Sequence, residues 1–190
     1  MQTEHSTGPT AATGLSALEA IASRRSVRRF GPRPIDTETR RRILAAGMAA
    51  PSAHGKRPWR FALLEDQKLL VDLVASIPWY KPAASAPCVI LVLGKPDLCV
   101  QPEYWTVDCA AATQNILVAA RALGLGSLWM GIAPIAGNIE KVSAILDIPA
   151  GLIPFSLIAL GEAVDPAGPG ELRDTWTPGE IIPISGRKQP

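Results

Sequence analysis

Four arginines stand between Ser23 and Phe30, at Arg24, Arg25, Arg28 and Arg29, with Ser26 among them, and the run stops at a Gly-Pro turn. A guanidinium is a forked, permanently charged partner for a phosphate or carboxylate, and a serine hydroxyl adds a neutral donor. Such a run suits a nucleic-acid patch, a solvated helix end or a socket for one anion. Eight of the nineteen Lys and Arg residues fall between Arg24 and Arg42, yet the net charge is only +2, so the cluster is local rather than a sign of a basic protein. A nearly neutral chain with no recognisable nucleic-acid-binding fold and no aromatics interleaved in the cluster argues against nucleic acid.

Two further stretches carry possible chemistry. "PSAHGKRPWRF" is turn-rich, with Pro51, Gly55 and Pro58 leading into Trp59, and places small residues beside an aromatic and cations, a setting that suits a planar polar ligand. "GLGSLWMG" offers a glycine-rich approach in which Gly131 has no Cβ to keep a ligand from the backbone. It lacks the Gly-x-Gly-x-x-Gly context of a dinucleotide fold, and the chain has no phosphate-loop lysine motif. No Gly-x-Ser-x-Gly elbow occurs and the histidines are only His5 and His54, which disfavours a Ser-His-Asp hydrolase. Cys88, Cys99 and Cys109 form no Cys-x-x-Cys pair and have no histidine at ligand spacing, so neither a disulfide framework nor a metal site is indicated. A reducing cytoplasm suits them.

The elements that must position these stretches follow from periodicity and caps. A chain of 190 residues suits one domain. Residues 1–14 are small and polar, with no secretory pattern, and are expected to be a disordered leader. Ser16 and Glu19 make a capping box for a first helix whose Leu15, Leu18, Ile21 and Ala22 share a face. Asp36 caps a second helix, with Ile43, Leu44 and Met48 expected inward and Arg40, Arg41 and Arg42 outward. Strands are expected at "RFALLE", "PCVILVLG" and "IPFSLIALGEA", and a strand or extended loop at "SLWMGIAP". Helices are expected at "DQKLLVDLVASI", at "GNIEKVSAILDI" with Asn138 as cap, and at the long "TVDCAAATQNILVAARALGLG", ended by Gly124. The long helix is apolar on nearly every side, and 47% of the chain is hydrophobic, which together suggest a subunit interface along it, the alternative being the central helix of a monomer. Its polar residues and glycines break any membrane-length run. The pattern is α+β, a sheet covered by helices, followed by an irregular arm at "DPAGPGELRDTWTPG".

Taken together, "RRSVRRF", "APSAHGKRPWRF", "APCVILV", "GLGSLWMG", "IPFSLIALGEA" and "LRDTW", in this order from about Leu15 to Ile182, resemble the nitroreductase family of FMN-dependent oxidoreductases. The resemblance implies a three-layer α-β-α sandwich with a central, mostly antiparallel sheet, in an intertwined homodimer with FMN at the subunit interface. It implies one FMN-binding domain over residues 15–190 with an extended C-terminal arm. Arg24, Arg25, Ser26 and Arg28 match its FMN-binding run: Arg24 and Ser26 would bind the phosphate, and Arg28 would lie nearer the ring and ribityl chain. Arg173 matches the second phosphate arginine. Pro51, Ser52 and Ala53 match the loop lining the flavin. Met130 and Gly131 match the segment that brings a backbone N–H to flavin N5. Lys81 lies where the family often places a cation by the flavin pyrimidine, although an exposed loop lysine reads the same way.

Three departures from that pattern bear on affinity. Gly55 stands where the family usually has Asn, Arg57 where it has Gln, and Glu171 where some relatives carry a phosphate-binding lysine. Arg57 would replace the glutamine contact, face an acidic substrate group, or serve only as surface. His54 reads either as a proton donor or as a solvated turn residue. Trp79, Tyr80, Tyr104 and Trp105 read either as walls of a substrate pocket or as packing.

The function implied is an FMN enzyme that takes hydride from NADH or NADPH at flavin N5 and reduces a nitroaromatic, quinone or similar conjugated acceptor by a ping-pong mechanism, with no side-chain acid or base needed for hydride transfer. The alternatives are a specialised relative (dehalogenase, dehydrogenase or flavin-destroying enzyme) and a non-catalytic flavin-binding redox protein. A nucleic-acid binder is the remote one. No metal, membrane or nucleic-acid partner is expected.

Overall fold

The computed structural model describes residues 15–164 and 175–182. The leader, Glu171, Arg173 and most of the arm lie outside the described residues. Among the described residues, six α-helices and four strands form in the order α1 (Ala17–Ser23), α2 (Thr37–Met48), β1 (Trp59–Leu64), α3 (Gln67–Ser76), α4 (Lys81–Ser85), β2 (Cys88–Gly94), α5 (Trp105–Ala122), β3 (Gly126–Gly131), α6 (Ala136–Ile145) and β4 (Ile153–Gly161). The expected order is borne out, with short α4 in addition.

Local chemistry sets most boundaries. The Ser16–Glu19 capping box closes at both ends, Asp36 accepts from the Thr39 N–H, and Asp66 accepts from the Lys68 N–H. Gly124, at φ +80°, takes the left-handed conformation that stops α5. Asn138 is a correction. Helix α6 starts at Ala136 without a side-chain cap, so Asn138 lies in its first turn, buried, and its Nδ2 has no partner.

The four strands pair antiparallel in the order β1-β2-β4-β3. Central position explains why every residue of β2 is buried and why all of β4 after Ile153 is buried as well. Strand β3 is an edge, and the extended segment after α1 covers it: Ser26 forms a parallel bridge to Ser127, and the Val27 N–H donates to the Ser127 carbonyl.

Helices pack on both faces, as a three-layer sandwich requires. On one face Leu70, Leu73, Val142 and Tyr80 meet Val89, Leu91, Leu128 and Leu157. On the other, α2 and α5 bring Ile43, Ala112, Ile116 and Leu117 onto Ile90, Val92 and Ile158. The two helices approach closely: a Cβ on Gly47 would lie 2.8 Å from Ile116 Cγ1.

One facing expectation fails, in α2. In α1, Leu18 and Ile21 share a face but are 79% and 53% exposed, and the helix buries Ala20 and Ser23. Met48 is 50% exposed, whereas Arg40, expected outward, is half-buried and bonded to Glu65 at 2.9 Å. Helix α5 is buried on one side only, with Val107 and Gln114 exposed in the single chain. Periodicity finds an apolar face but does not say whether the same chain or a second one covers it.

Candidate functional site

Helix α1 ends at Arg24, whose backbone turns extended and carries the next residues along β3. Alternation then divides the side chains. Val27 enters the core beside Leu128, while Ser26 and Arg28 are exposed. Val27 packs so close to Gly126 that a Cβ there would lie 2.8 Å from Val27 Cγ2, so the segment is seated firmly on the strand. Beyond it the Gly31 N–H donates to the Glu162 carbonyl and Phe30 bridges Ala163 at the end of β4.

A cavity of about 220 Å³ opens at this end of the sheet, with Arg24, Arg25, Arg121, Ser23, Ser127 and Glu162 among its walls. Arg121, in the last turn of α5, donates from Nε to the Ser23 hydroxyl at 2.8 Å, and that hydroxyl donates to the Glu19 carbonyl at 2.6 Å. Partial burial, and secondarily the charge of Arg25, pull the Arg121 pKa below its ordinary value. Ser127 is 2% exposed, and its Oγ has no hydrogen-bond partner. Three arginines thus stand among the residues that line the cavity, a setting that suits an anion with several acceptor oxygens.

From Ser127, β3 runs about 13 Å to Gly131, whose N-terminal neighbour Met130 is buried in the core and can offer a ligand only its backbone. Gly131 is exposed, and a Cβ added to it would meet nothing nearer than the Ala133 carbonyl at 3.9 Å, so a flat group has open access to the main chain. Its own carbonyl accepts from the Tyr80 hydroxyl at 2.8 Å. Tyr80 is therefore a buried positioning residue rather than a pocket wall, and burial pushes its pKa up to about 12. Trp129, 36% exposed, leans on Phe155 at 5.8 Å between ring centroids, and Trp105 meets Phe155 edge-on at 5.9 Å. These rings form an apolar wall beside Gly131. Trp79 and Tyr104 are exposed on the surface.

The loop of Pro51, Ser52 and Ala53 follows α2. His54, Gly55 and Arg57 all have positive φ, at 53°, 66° and 48°, an unfavourable backbone for the two that carry a Cβ. Two side chains hold it. The Ser52 hydroxyl accepts from the Arg57 N–H at 2.9 Å, and Asp108 Oδ1 accepts from the Ala53 N–H at 3.0 Å. Asp108 is 4% exposed and its Oδ2 has no partner. Arg57 and His54 are exposed, as is Lys81, the first residue of α4.

Helix α5 contains one acid and one base, Asp108 and Arg121. They stand at its opposite ends, about 20 Å apart along the axis. The anion cavity and the loop are thus separate stations in one chain. Sequence reasoning passed over Asp108, Arg121, Ser127 and Trp129. A single charge in an otherwise apolar helix was the available signal for the first two.

A larger cavity, about 610 Å³, lies near β1 and the Leu146–Leu152 turn, apolar apart from Arg60 and Lys95, and holds none of the residues singled out above. Among the described residues no His, Cys, Asp and Glu cluster could hold a metal, and no helix is long and apolar enough to cross a membrane. Burial pushes the Cys88 and Cys109 pKa values up to about 11 and about 12, which makes both thiols poor nucleophiles.

The family model described as "Nitroreductase family" matches residues 21–89 and 78–162. The chain belongs to the nitroreductase family. A curated protein of Methanothermobacter thermautotrophicus, provisionally named an NADH dehydrogenase/NAD(P)H nitroreductase, is 37% identical over 160 residues, 84% of each chain. A protein of Archaeoglobus fulgidus with the same provisional name is 36% identical over 86% of this chain and 95% of its own. Among solved structures, one from Parabacteroides distasonis, again with that provisional name, superposes with a TM-score of 0.82 at 30% identity, covering 90% of this chain and 98% of that one. A provisionally named nitroreductase from Desulfovibrio desulfuricans, solved with FMN, superposes with a TM-score of 0.75 at 28% identity, over 92% and 99% of the two chains. The α+β nitroreductase architecture and an enzyme of the oxidoreductase class expected from the motifs are borne out.

Proposed function

We propose that this nitroreductase-family chain is an FMN-dependent NAD(P)H oxidoreductase that reduces nitroaromatics, quinones or similar conjugated acceptors by a ping-pong mechanism. The observation that carries the reading is the line running from the guanidinium cavity through Ser127 along β3 to the open main chain at Gly131. It provides an anion seat and a flat, accessible backbone edge about one mononucleotide length apart. The residues fit FMN on this chain's own terms: an unsatisfied buried hydroxyl and several guanidinium groups at one end, and room for a ring at the other.

FMN, when bound, supplies the two-electron chemistry between the nicotinamide and the acceptor. The protein's share is to bind, orient and tune. Arg24 and Ser26, with Arg173, hold the phosphate, and Arg25 and Arg28 add positive charge along the run. The Gly131 N–H meets the ring edge, and the Tyr80 hydroxyl fixes that peptide by binding its carbonyl. Trp129 and Phe155 exclude water from one side. Pro51, Ser52, Ala53, Gly55 and Arg57 line the ring from the loop that Asp108 holds, and Lys81 sets charge near the pyrimidine.

Residues 15–190 form one FMN-binding domain after a leader, and the active unit is a homodimer with a site at each interface. Exposed Leu18 and Ile21 on α1, Met48 on α2, Val107 on α5 and Ile181 and Ile182 in the late segment favour this, because they leave apolar surface around the very helices that flank the site. Three free thiols suit a cytoplasmic location.

Steady-state NADH and NADPH oxidation with a quinone or a nitroaromatic tests the reading. Parallel double-reciprocal lines are expected. A flavin-loaded protein that oxidises neither nucleotide with any such acceptor would instead be a redox sensor or storage protein.

A further inference from the structure

We infer that the cavity of about 610 Å³ beside β1 is a binding site for an aliphatic carboxylate of the fatty-acid class, separate from the redox site. The inference goes beyond the FMN reading and does not rest on it. Its lining includes one face of the β1–β2 ribbon, where Arg60 lies opposite Leu93 and Ala62 opposite Leu91. Leu69 of α3 and Leu146, Ile148 and Leu152 around the turn after α6 complete the apolar part. Ala62, Leu69, Leu146, Ile148 and Leu152 are only half-buried, so the described residues leave aliphatic surface uncovered here, in a space of the size that small-molecule sites have. Ala62, Leu91 and Leu93 belong to the sheet face opposite α2 and α5. Strands β1 and β3 are also opposite edges of the sheet, about 14 Å apart at the usual strand spacing, which sets this cavity away from the guanidinium cavity.

Charge selects the head group. Arg60 and Lys95 are the charged residues of the lining, and both are cations. The ion pairs among the described residues join Arg40 to Glu65, Arg41 to Glu38 and Lys68 to Asp72, so none engages either of them. Arg60 is tied instead to the Trp59 carbonyl through Nη1 at 2.7 Å, which steadies the guanidinium, and Lys95 bonds to Pro58 through its backbone N–H. Asp97 and Asp147 are exposed and outside the lining. Two cations without a carboxylate partner beside an apolar space are complementary to an anion with an apolar body.

The body is aliphatic rather than flat. Phe61 is the one aromatic residue of the lining, and its ring packs on the other side of the sheet, where its Cζ lies 3.3 Å from the place of a Cβ on Gly47. No ring is left for a nitroaromatic or a quinone to stack on. The chain's own remaining segments have the wrong chemistry: residues 183–190 carry two cations and no acid, and residues 1–14 and 165–174 hold no aliphatic run.

Isothermal titration of the whole chain, with FMN added to occupy the redox site, compares decanoate, hexanoate, decanol and naphthoate. One decanoate per chain is expected, with hexanoate roughly ten- to hundred-fold weaker because each methylene adds apolar burial. Decanol should bind about ten-fold more weakly for want of a charge. The double variant Arg60→Gln, Lys95→Gln should weaken decanoate about ten-fold and leave decanol unchanged. Ala150→Trp, which adds bulk to the lining from an exposed position, should weaken both, and the surface control Arg42→Ala neither. Circular dichroism checks folding, and Arg60→Gln alone carries the comparison should the double variant not fold. No decanoate binding, an unchanged affinity in the charge variants, or displacement of decanoate by FMN would overturn the inference. Naphthoate binding as tightly as decanoate would overturn it by making the site one for flat ligands. A fall in particle mass on adding decanoate, read by light scattering, would overturn it by giving the cavity to a second copy of the chain.

Discussion

The two segments that carry the candidate site residues, Arg24–Gly31 and Pro51–Arg57, are held in different ways. The first is joined to the sheet by main-chain bonds, Val27 to Ser127 and Gly31 to Glu162, so its shape does not depend on its polar side chains. The second has a cluster of left-handed residues; its own main-chain bonds, Gly55 to Ser52 and Lys56 to Ala53, are local, and two side-chain acceptors, Ser52 and Asp108, add to them, Asp108 from α5. A backbone-bonded segment can vary its side chains for ligand grip at little cost to the fold. A side-chain-bonded loop couples its shape to single residues, and strain of that kind gathers where a loop must present a fixed surface to a ligand.

The broadest way to break the comparison attacks the core that both segments share. Tyr80, Cys88 and Cys109 have folded-state pKa values pushed by burial to about 12, 11 and 12. Their raised values mean that the folded state favours the protonated forms. The stability they confer is therefore complete below the ordinary thiol value of 9.0 and is lost as pH climbs through 9 toward 12. Denaturant melts across that range should show a fall on the order of several kcal/mol. Flat stability to pH 12 would contradict the burial. Next in size is Asp108→Ala, which strips the Ala53 N–H of its acceptor and is expected to cost about 1–3 kcal/mol. Asp108→Asn, retaining a carbonyl oxygen, should cost less.

A matched pair of serines sharpens the contrast further. Ser52→Ala should lower stability by about 1 kcal/mol, since the Arg57 N–H loses its partner. Ser26→Ala should stay within about 0.5 kcal/mol, because Ser26 is exposed and its segment is fixed by the main chain. Equal losses would erase the distinction. The smallest effect belongs to Gly55→Ala, where the φ of 66° makes a Cβ unfavourable although nothing lies within 4 Å of it. A loss of about 1 kcal/mol or less is expected by chemical denaturation, arising from backbone strain alone.

The sequence made the fold legible wherever the signal was local. Caps at Ser16, Asp36 and Asp66 and the apolar run of β2 located elements correctly because hydrogen-bonding and burial demands there are met within a few residues or within one sheet. Met48, expected inward, is exposed, because an apolar helix face looks the same whether its own chain or another covers it. Asn138 failed as a cap because α6 begins two residues earlier. In the candidate site, the motif residues Arg24, Ser26, Ser52, Ala53 and Gly131 were visible, while Asp108, Arg121 and Ser127 were not. Their relevance comes from long-range contacts, Asp108 to Ala53 and Arg121 to Ser23, that no spacing rule encodes.

The visible absorption spectrum of the purified protein, followed by denaturation and identification of the released chromophore, tests the central claim most directly. The account predicts the bands of a bound flavin and release of FMN. A colourless protein that also fails to take up added FMN would contradict it.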